Sequence, residues 1–157
     1  MEIKTSYAVI YWDLNHNKFL VTHPTHEKFW SLPKGGMEDS DAGSGAKAAA
    51  REMLEETNVI VDHKELIEAG RFEYYRKGRN GKKIDKDLVV YIYKTKTPTK
   101  PSEMICTSMV HHLAPGQEPF PENDGFKYIG IDEIDANFNP DGARVVKDAL
   151  IMLGIMR

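Results

Sequence analysis

The sequence predicts an α/β fold, a mixed β-sheet between α-helices, and three observations carry that prediction. The periodic segments run in the order strands, helix, strands, helix. The strand segments are rich in Val, Ile, Tyr and Phe and are punctuated by Asn, Gly and Pro. The 157 residues, with 41% hydrophobic and 29% charged content, match one globular domain spanning 1–157.

Residues 3–12 read as the first strand. Asn15-His16-Asn17 signals a turn, and Phe19-Leu20-Val21-Thr22 starts the return strand. Phe29 to Leu32 is a short apolar segment closed by Pro33, and Gly35-Gly36 marks a loop with wide backbone freedom. Residues 42–57, rich in Ala, Met, Leu and Glu, form the strongest helix signal, with Asn58 placed to end it in the left-handed conformation. Val59-Ile60-Val61 reads as a short strand. Residues 66–75 and 88–93 read as two strands around a hairpin with the turn pair Asn80-Gly81. Residues 97–125 hold five of the eight prolines and read as irregular, with one short strand near 104–110. Residues 126–131 form the last strand. Asn139-Pro140 then opens a helix to about residue 155, Asn as N-cap and Pro at the first helical position.

The formal charge of −3 argues against broad electrostatic binding of nucleic acid. A single cysteine, Cys106, rules out an internal disulfide. No apolar run reaches membrane-spanning length and residues 1–20 lack a signal-peptide apolar region, so a cytoplasmic protein without membrane partners is expected.

The chemistry concentrates in Arg51-Glu52-Met53-Leu54-Glu55-Glu56, three carboxylates and one guanidinium in six residues. On a helix, Glu55 and Glu56 lie about −60° and about +40° from Glu52, so all three project from one side. Like charges at that spacing weaken a helix. Such a cluster is best tolerated around a hard divalent cation, Mg²⁺ or Mn²⁺.

With the upstream Leu32-Pro33-Lys34-Gly35-Gly36, this run resembles the Nudix hydrolase signature, Gly-x5-Glu-x7-Arg-Glu-U-x-Glu-Glu-x-Gly-U, where U is aliphatic. Gly35, Arg51, Glu52, Met53, Glu55, Glu56 and Val59 match it. The chain departs from it in three ways. Asp41 stands at the loop Glu position, nine rather than seven residues precede Arg51, and Asn58 replaces a Gly. Gly43-Ser44-Gly45 reads as a two-residue insertion and a flexible lead-in to the helix. Asp41, Glu38 or neither then serves as the loop acid.

The resemblance implies a Nudix fold and metal-dependent hydrolysis of a nucleoside diphosphate linked to another moiety. It implies Glu52, Glu55 and Glu56 as metal ligands and catalytic acids, with a backbone carbonyl near Lys34–Gly35 completing the site. Arg51 is implied to orient the carboxylates; its plainer role is a surface pair with Glu55. The general base varies in the family, and Glu122 is the chosen candidate over Glu118 and Asp124. Glu56 is expected on a surface groove, where neutralising it leaves the fold intact.

Residues 71–87 hold seven basic and three acidic residues, and Arg76, Lys77, Arg79, Lys82 and Lys83 bracket the turn. They form a clamp for polyphosphate or an RNA 5′ end, or a plain charged hairpin. Lys34, Gly36, Arg76, Lys82, Lys83 and Tyr74 are the candidate substrate contacts. Trp30, Phe72, Tyr74 and Tyr75 are candidates to stack a base, although alternating aromatics more often fill a core. His23 and His26 read as loop residues, and His111-His112 has no assigned role. Gly43 to Lys47 lacks the residue order of a phosphate-binding loop.

Lys34 and the basic hairpin resemble the branch acting on dinucleoside polyphosphates of the diadenosine tetraphosphate type. The alternatives are RNA 5′ ends, ADP-ribose, nucleoside triphosphates, or nucleotide binding without cleavage. A monomer or homodimer is expected.

Overall fold

The computed structural model describes residues 3–77, 83–111 and 113–157. Among the described residues, six strands form one mixed sheet. Its path runs β4 (Ile67–Lys77), β5 (Lys83–Thr95), β1 (Lys4–Asp13), β2 (Lys18–Pro24) and β8 (Asn123–Ile129), and β3 (Lys34–Gly36) also pairs with β1. β1 and β5 are parallel over ten residue pairs; the other pairings are antiparallel. β1 divides its far edge: Trp12 and Asp13 pair with β2, whereas Ser6, Tyr7 and Ala8 pair with β3. That division holds the Gly35-Gly36 loop against the sheet.

Strand alternation sends two sets of side chains to opposite faces. On one face, Val9, Tyr11, Leu20, Val89 and Tyr91 pack with Ala49 and Met53 of α1 (Gly45–Thr57). On the other, Ala8, Ile10, Phe19, Val21 and Val90 pack with Val145, Val146, Ala149 and Leu150 of α3 (Pro140–Met152). Fully burying one such branched or long aliphatic side chain stabilises by about 1.5–3 kcal/mol, and this fixes both helices on the sheet. A short helix, α2 (Ile134–Asn137), precedes α3. Asn139 caps α3 by accepting from the Gly142 amide at 2.7 Å, with Pro140 behind it.

Several boundaries differ from the sequence reading. α1 begins at Gly45, not 42, because Asp39–Asp41 forms a 3-10 turn and Ala42 is left-handed at φ 52°. Ser44 is the N-cap, accepting from the Lys47 amide at 3.2 Å, so the Gly-Ser-Gly insertion supplies the cap of the helix. A Cβ at Gly45 would lie 2.4 Å from the Tyr91 hydroxyl, so glycine lets the helix start against that ring.

Val59 and Val61 are buried and Ile60 is 83% exposed, the alternation of a strand, but they belong to none of the sheets among the described residues. β5 starts at Lys83 rather than 88, and α3 stops at Met152. The irregular region contains a paired β6 (Met109–Val110) and β7 (Phe120–Pro121), two strands where one was expected. No helix among the described residues is long and apolar enough to cross a membrane.

Candidate active site

Helix α1 is anchored by its apolar face and turns Glu52 and Glu56 toward β3, while Glu55 pairs with Arg51. The contact with the loop is close. A Cβ built on Gly35 would lie 2.0 Å from Glu52 Cδ and 2.3 Å from each of its oxygens. Glycine at 35 is therefore what lets this carboxyl take its present position, since any Cβ there would displace it or the strand. Gly36 has no such neighbour within 4 Å.

Arg51 is a hub rather than half of a surface pair. Its Nε reaches Asp41 at 3.1 and 3.2 Å and its Nη2 reaches Asp41 Oδ2 at 3.1 Å. Nη1 donates to Glu52 at 2.9 Å and to Glu55 at 3.1 and 3.2 Å, while Nη2 donates to the Gly36 carbonyl at 2.6 Å. Glu38 lies 3.4 Å away and is largely exposed. Asp41, which is buried, makes the closer and more numerous contacts with Arg51. The 3-10 turn and left-handed Ala42 absorb the two extra residues and bring it there. Hydrogen bonding from Arg51 holds the Asp41 carboxyl below its usual range.

Glu56 is buried, against the expectation of a surface groove. Its Oε2 accepts from the Lys34 amide at 2.7 Å and its Oε1 from Asn123 Nδ2 at 2.9 Å. Burial pushes its pKa up to about 8, opposed by those two donors and by the Lys34 charge. Burial likewise raises Glu52 to about 7; Arg51 pulls it down, and the charges of Glu55 and Glu122 add to the rise.

Both values exceed the ordinary carboxyl pKa of 4.5. The folded protein therefore holds more protons than the unfolded chain above 4.5, and stability falls as pH rises toward about 8. Asp41 acts oppositely: its contribution is present above its unfolded value of 3.8 and is lost as pH falls through its lower folded one. In chelator, the melting temperature is expected to decline between about pH 5 and about pH 8. A profile that is flat or rises over that window would contradict the buried acid pair.

Glu122 precedes Asn123 at the start of β8, and its charge is felt at Glu52. With Glu56, Lys34, Val110, Phe120 and Asn123 it lines a cleft of about 360 Å³. A second cavity of about 340 Å³ opens beside it, walled by Phe29, Trp30, Tyr74, Phe138, Asn139 and Asp141. Pro24, Glu27, Ser31, Leu32 and Lys34 line both. An acidic cleft and an aromatic pocket thus share one wall.

The other candidates divide. Tyr74 lines the aromatic pocket. Trp30 lines it too, but Lys127 Nζ lies 4.2 Å over its ring and His23 5.1 Å from it, so protein groups already flank the indole. Phe72 packs against the α3-side core. Asp124 pairs with His23 at 2.5 Å instead of facing the cleft, and Glu118 is exposed. His23 lies in β2, not a loop, while His26 is left-handed at φ 68° and packs edge-on to Phe120. His111 is exposed beside β6. Arg76 and Lys77 end β4 and Lys83 opens β5, with side chains outside the described set. Arg79, Lys82 and His112 lie outside the described residues, as does the side chain of Tyr75.

Asn123 is the site residue that sequence reading missed. It is 67 residues from Glu56, and an Asn at a strand start carries no signal of that contact.

Among the described residues, no three His, Cys, Asp or Glu side chains converge closely enough to enclose a metal ion. The donor chemistry nonetheless fits a hard divalent cation. Glu52 and Glu56 are charged only at a cost in this burial, and Glu55 and Glu122 add like charge nearby. Each Glu56 oxygen accepts one hydrogen bond and keeps a further lone pair.

A family model described as NUDIX domain matches residues 4–149. No curated protein sequence matches the chain. Solved structures resemble it in fold. The NUDIX domain of Shewanella oneidensis NrtR, complexed with ADP ribose, aligns at TM-score 0.69 and 11% identity over 98% of this chain and 90% of that one. The E. coli dihydroneopterin triphosphate pyrophosphohydrolase aligns at 0.66 and 13% over 96% and 99%. A C. elegans Ap4A hydrolase aligns at 0.61 and 12% over 97% and 98%.

Proposed function

The chain belongs to the Nudix hydrolase family, and from that premise we propose that it hydrolyses a pyrophosphate linkage in a dinucleoside polyphosphate of the diadenosine tetraphosphate type. The observation that carries this reading is the shared wall between the acidic cleft and the aromatic pocket. A phosphate chain with a planar base at its end has the two chemistries that these spaces offer. The basic stretch around residues 76–83 adds charge for a long chain. The C. elegans relative in fold is an Ap4A hydrolase.

Glu52, Glu55 and Glu56, with the Gly35 carbonyl, would hold Mg²⁺ or Mn²⁺, whose chemistry when bound is to neutralise phosphate charge and acidify a water. Arg51 keeps Glu52 and Glu55 oriented and stays cationic among them. Lys34 fixes Glu56 through its amide, its charge is felt at that carboxyl, and it lines the wall common to both spaces. Glu122 accepts the proton of the attacking water as the P–O anhydride bond breaks. Tyr74 gives the base a face to stack on, worth about 1–3 kcal/mol.

The test is a hydrolysis panel of diadenosine polyphosphates, ADP-ribose, nucleoside triphosphates and 5′-triphosphate RNA with Mg²⁺ or Mn²⁺. Efficiency is expected to rise with phosphate number among the dinucleoside polyphosphates and to fall with added salt. Tyr74→Ala is expected to raise KM about tenfold for them. A wild-type preference for ADP-ribose would reject the substrate assignment and leave the family unaffected.

A further inference from the structure

We propose that Thr107 is a positioning residue for hydrolysis, locking the strand pair that leads into Glu122 onto the end of the helix that carries Glu52, Glu55 and Glu56. The proposal rests on the reading of Glu122 as the base.

The last carbonyls of a helix have no partner within it. In α1, the Leu54 carbonyl accepts from Asn58, which leaves later ones open. One loop fills two of them. The Glu55 carbonyl accepts from the Thr107 amide at 2.8 Å, the Thr107 hydroxyl at 3.0 Å and the Ser108 amide at 3.2 Å. The Thr57 carbonyl accepts from the Ile105 amide at 3.1 Å.

The same loop then reaches Glu122. The Ser108 carbonyl accepts from the Glu122 amide at 2.9 Å, and β6–β7 pairing continues that ladder. Just after β2, the Thr25 amide donates to the Glu122 carbonyl at 2.9 Å and the Thr25 hydroxyl to the Pro121 carbonyl at 2.5 Å. Ser108 therefore bridges the backbone of Glu55 directly to that of Glu122. Thr107 supplies the side chain that clamps this bridge. It is exposed, so it adds little to packing, and an exposed substitution ordinarily shifts stability by no more than about 0.5 kcal/mol. Its hydroxyl instead sets where Glu122 stands relative to the helical acids. Small misplacements of such a group are costly in rate.

The experiment is a double-mutant cycle with Thr107→Val and Glu122→Gln, with Thr107→Ser as the conservative variant, read as kcat and KM on diadenosine tetraphosphate. Thr107→Val is expected to lower kcat about tenfold with KM and melting temperature near wild type. Thr107→Ser should restore kcat. In the Glu122→Gln background, Thr107→Val should cause no further loss. Wild-type kcat in Thr107→Val beside a damaged Glu122→Gln rejects the positioning role alone. An equal loss in both backgrounds also rejects it, because Thr107 would then act by another route. Wild-type kcat in Glu122→Gln rejects the base assignment, and the proposal with it.

Discussion

Glu52→Gln is expected to lower kcat by at least about a hundredfold while raising the melting temperature of the metal-free protein. Two facts set those opposite signs. The Glu52 carboxyl is buried, raised to about 7, and repelled by the charges of Glu55 and Glu122. Neutralising it removes a folding penalty at neutral pH. Its bond with Arg51 survives, because the amide oxygen of Gln can accept from Nη1 as Oε1 does now at 2.9 Å. The lost charge is the one that the proposed chemistry requires. Glu56→Gln should lose activity too, but with a cost in stability. Both Glu56 oxygens accept from N–H donors, so a Gln amide would turn its own NH₂ toward Lys34 or Asn123. Leaving a buried donor so opposed costs about 1–3 kcal/mol. Kinetics and thermal melts on both variants check this. Equal destabilisation of the two, or near-normal turnover in Glu52→Gln, would overturn the assignment of separate roles.

The contrast between these two glutamates marks what the sequence could and could not tell. That Glu52, Glu55 and Glu56 share one side of a helix follows from 3.6 residues per turn and was legible at once. The order of strands and helices along the chain was legible in outline because apolar strands and turn residues are local signals. The depth of Glu56 was not. It depends on Asn123 and on the Lys34 amide, partners 67 and 22 residues away whose approach is set by the tertiary fold. Similarly, the sequence left Arg51 between orienting the carboxylates and a plain i,i+4 surface pair with Glu55, and the extent of its hub was hidden because Asp41 arrives only through a 3-10 turn. The short strands β3 and β7 escaped for a related reason. Two or three residues cannot display a period, and only their pairing partners define them.

Gly35→Ala is expected to lower kcat about a hundredfold, whereas Gly36→Ala should stay close to wild type. The adjacent glycines look equivalent in sequence, and the helix beneath them separates their roles. A methyl at 35 would sit 2.0 Å from Glu52 Cδ, a distance no Cβ tolerates. Either β3 lifts or the Glu52 carboxyl swings away. β3 is paired to β1 at three residues and its Lys34 amide holds Glu56, so lifting it also disturbs that contact. Swinging Glu52 aside breaks its 2.9 Å bond with Arg51 and loosens the hub. Both routes disarrange the carboxylates that must act together. At Gly36 nothing lies within 4 Å, and neither residue requires a positive φ, so backbone strain separates neither variant from the other. Calorimetric titration of Mg²⁺ into each variant gives a readout apart from turnover: Gly35→Ala should bind about tenfold more weakly, Gly36→Ala as wild type. Full activity and metal affinity in Gly35→Ala would show that Glu52 can act from another position, and that its close contact with Gly35 is incidental to the chemistry.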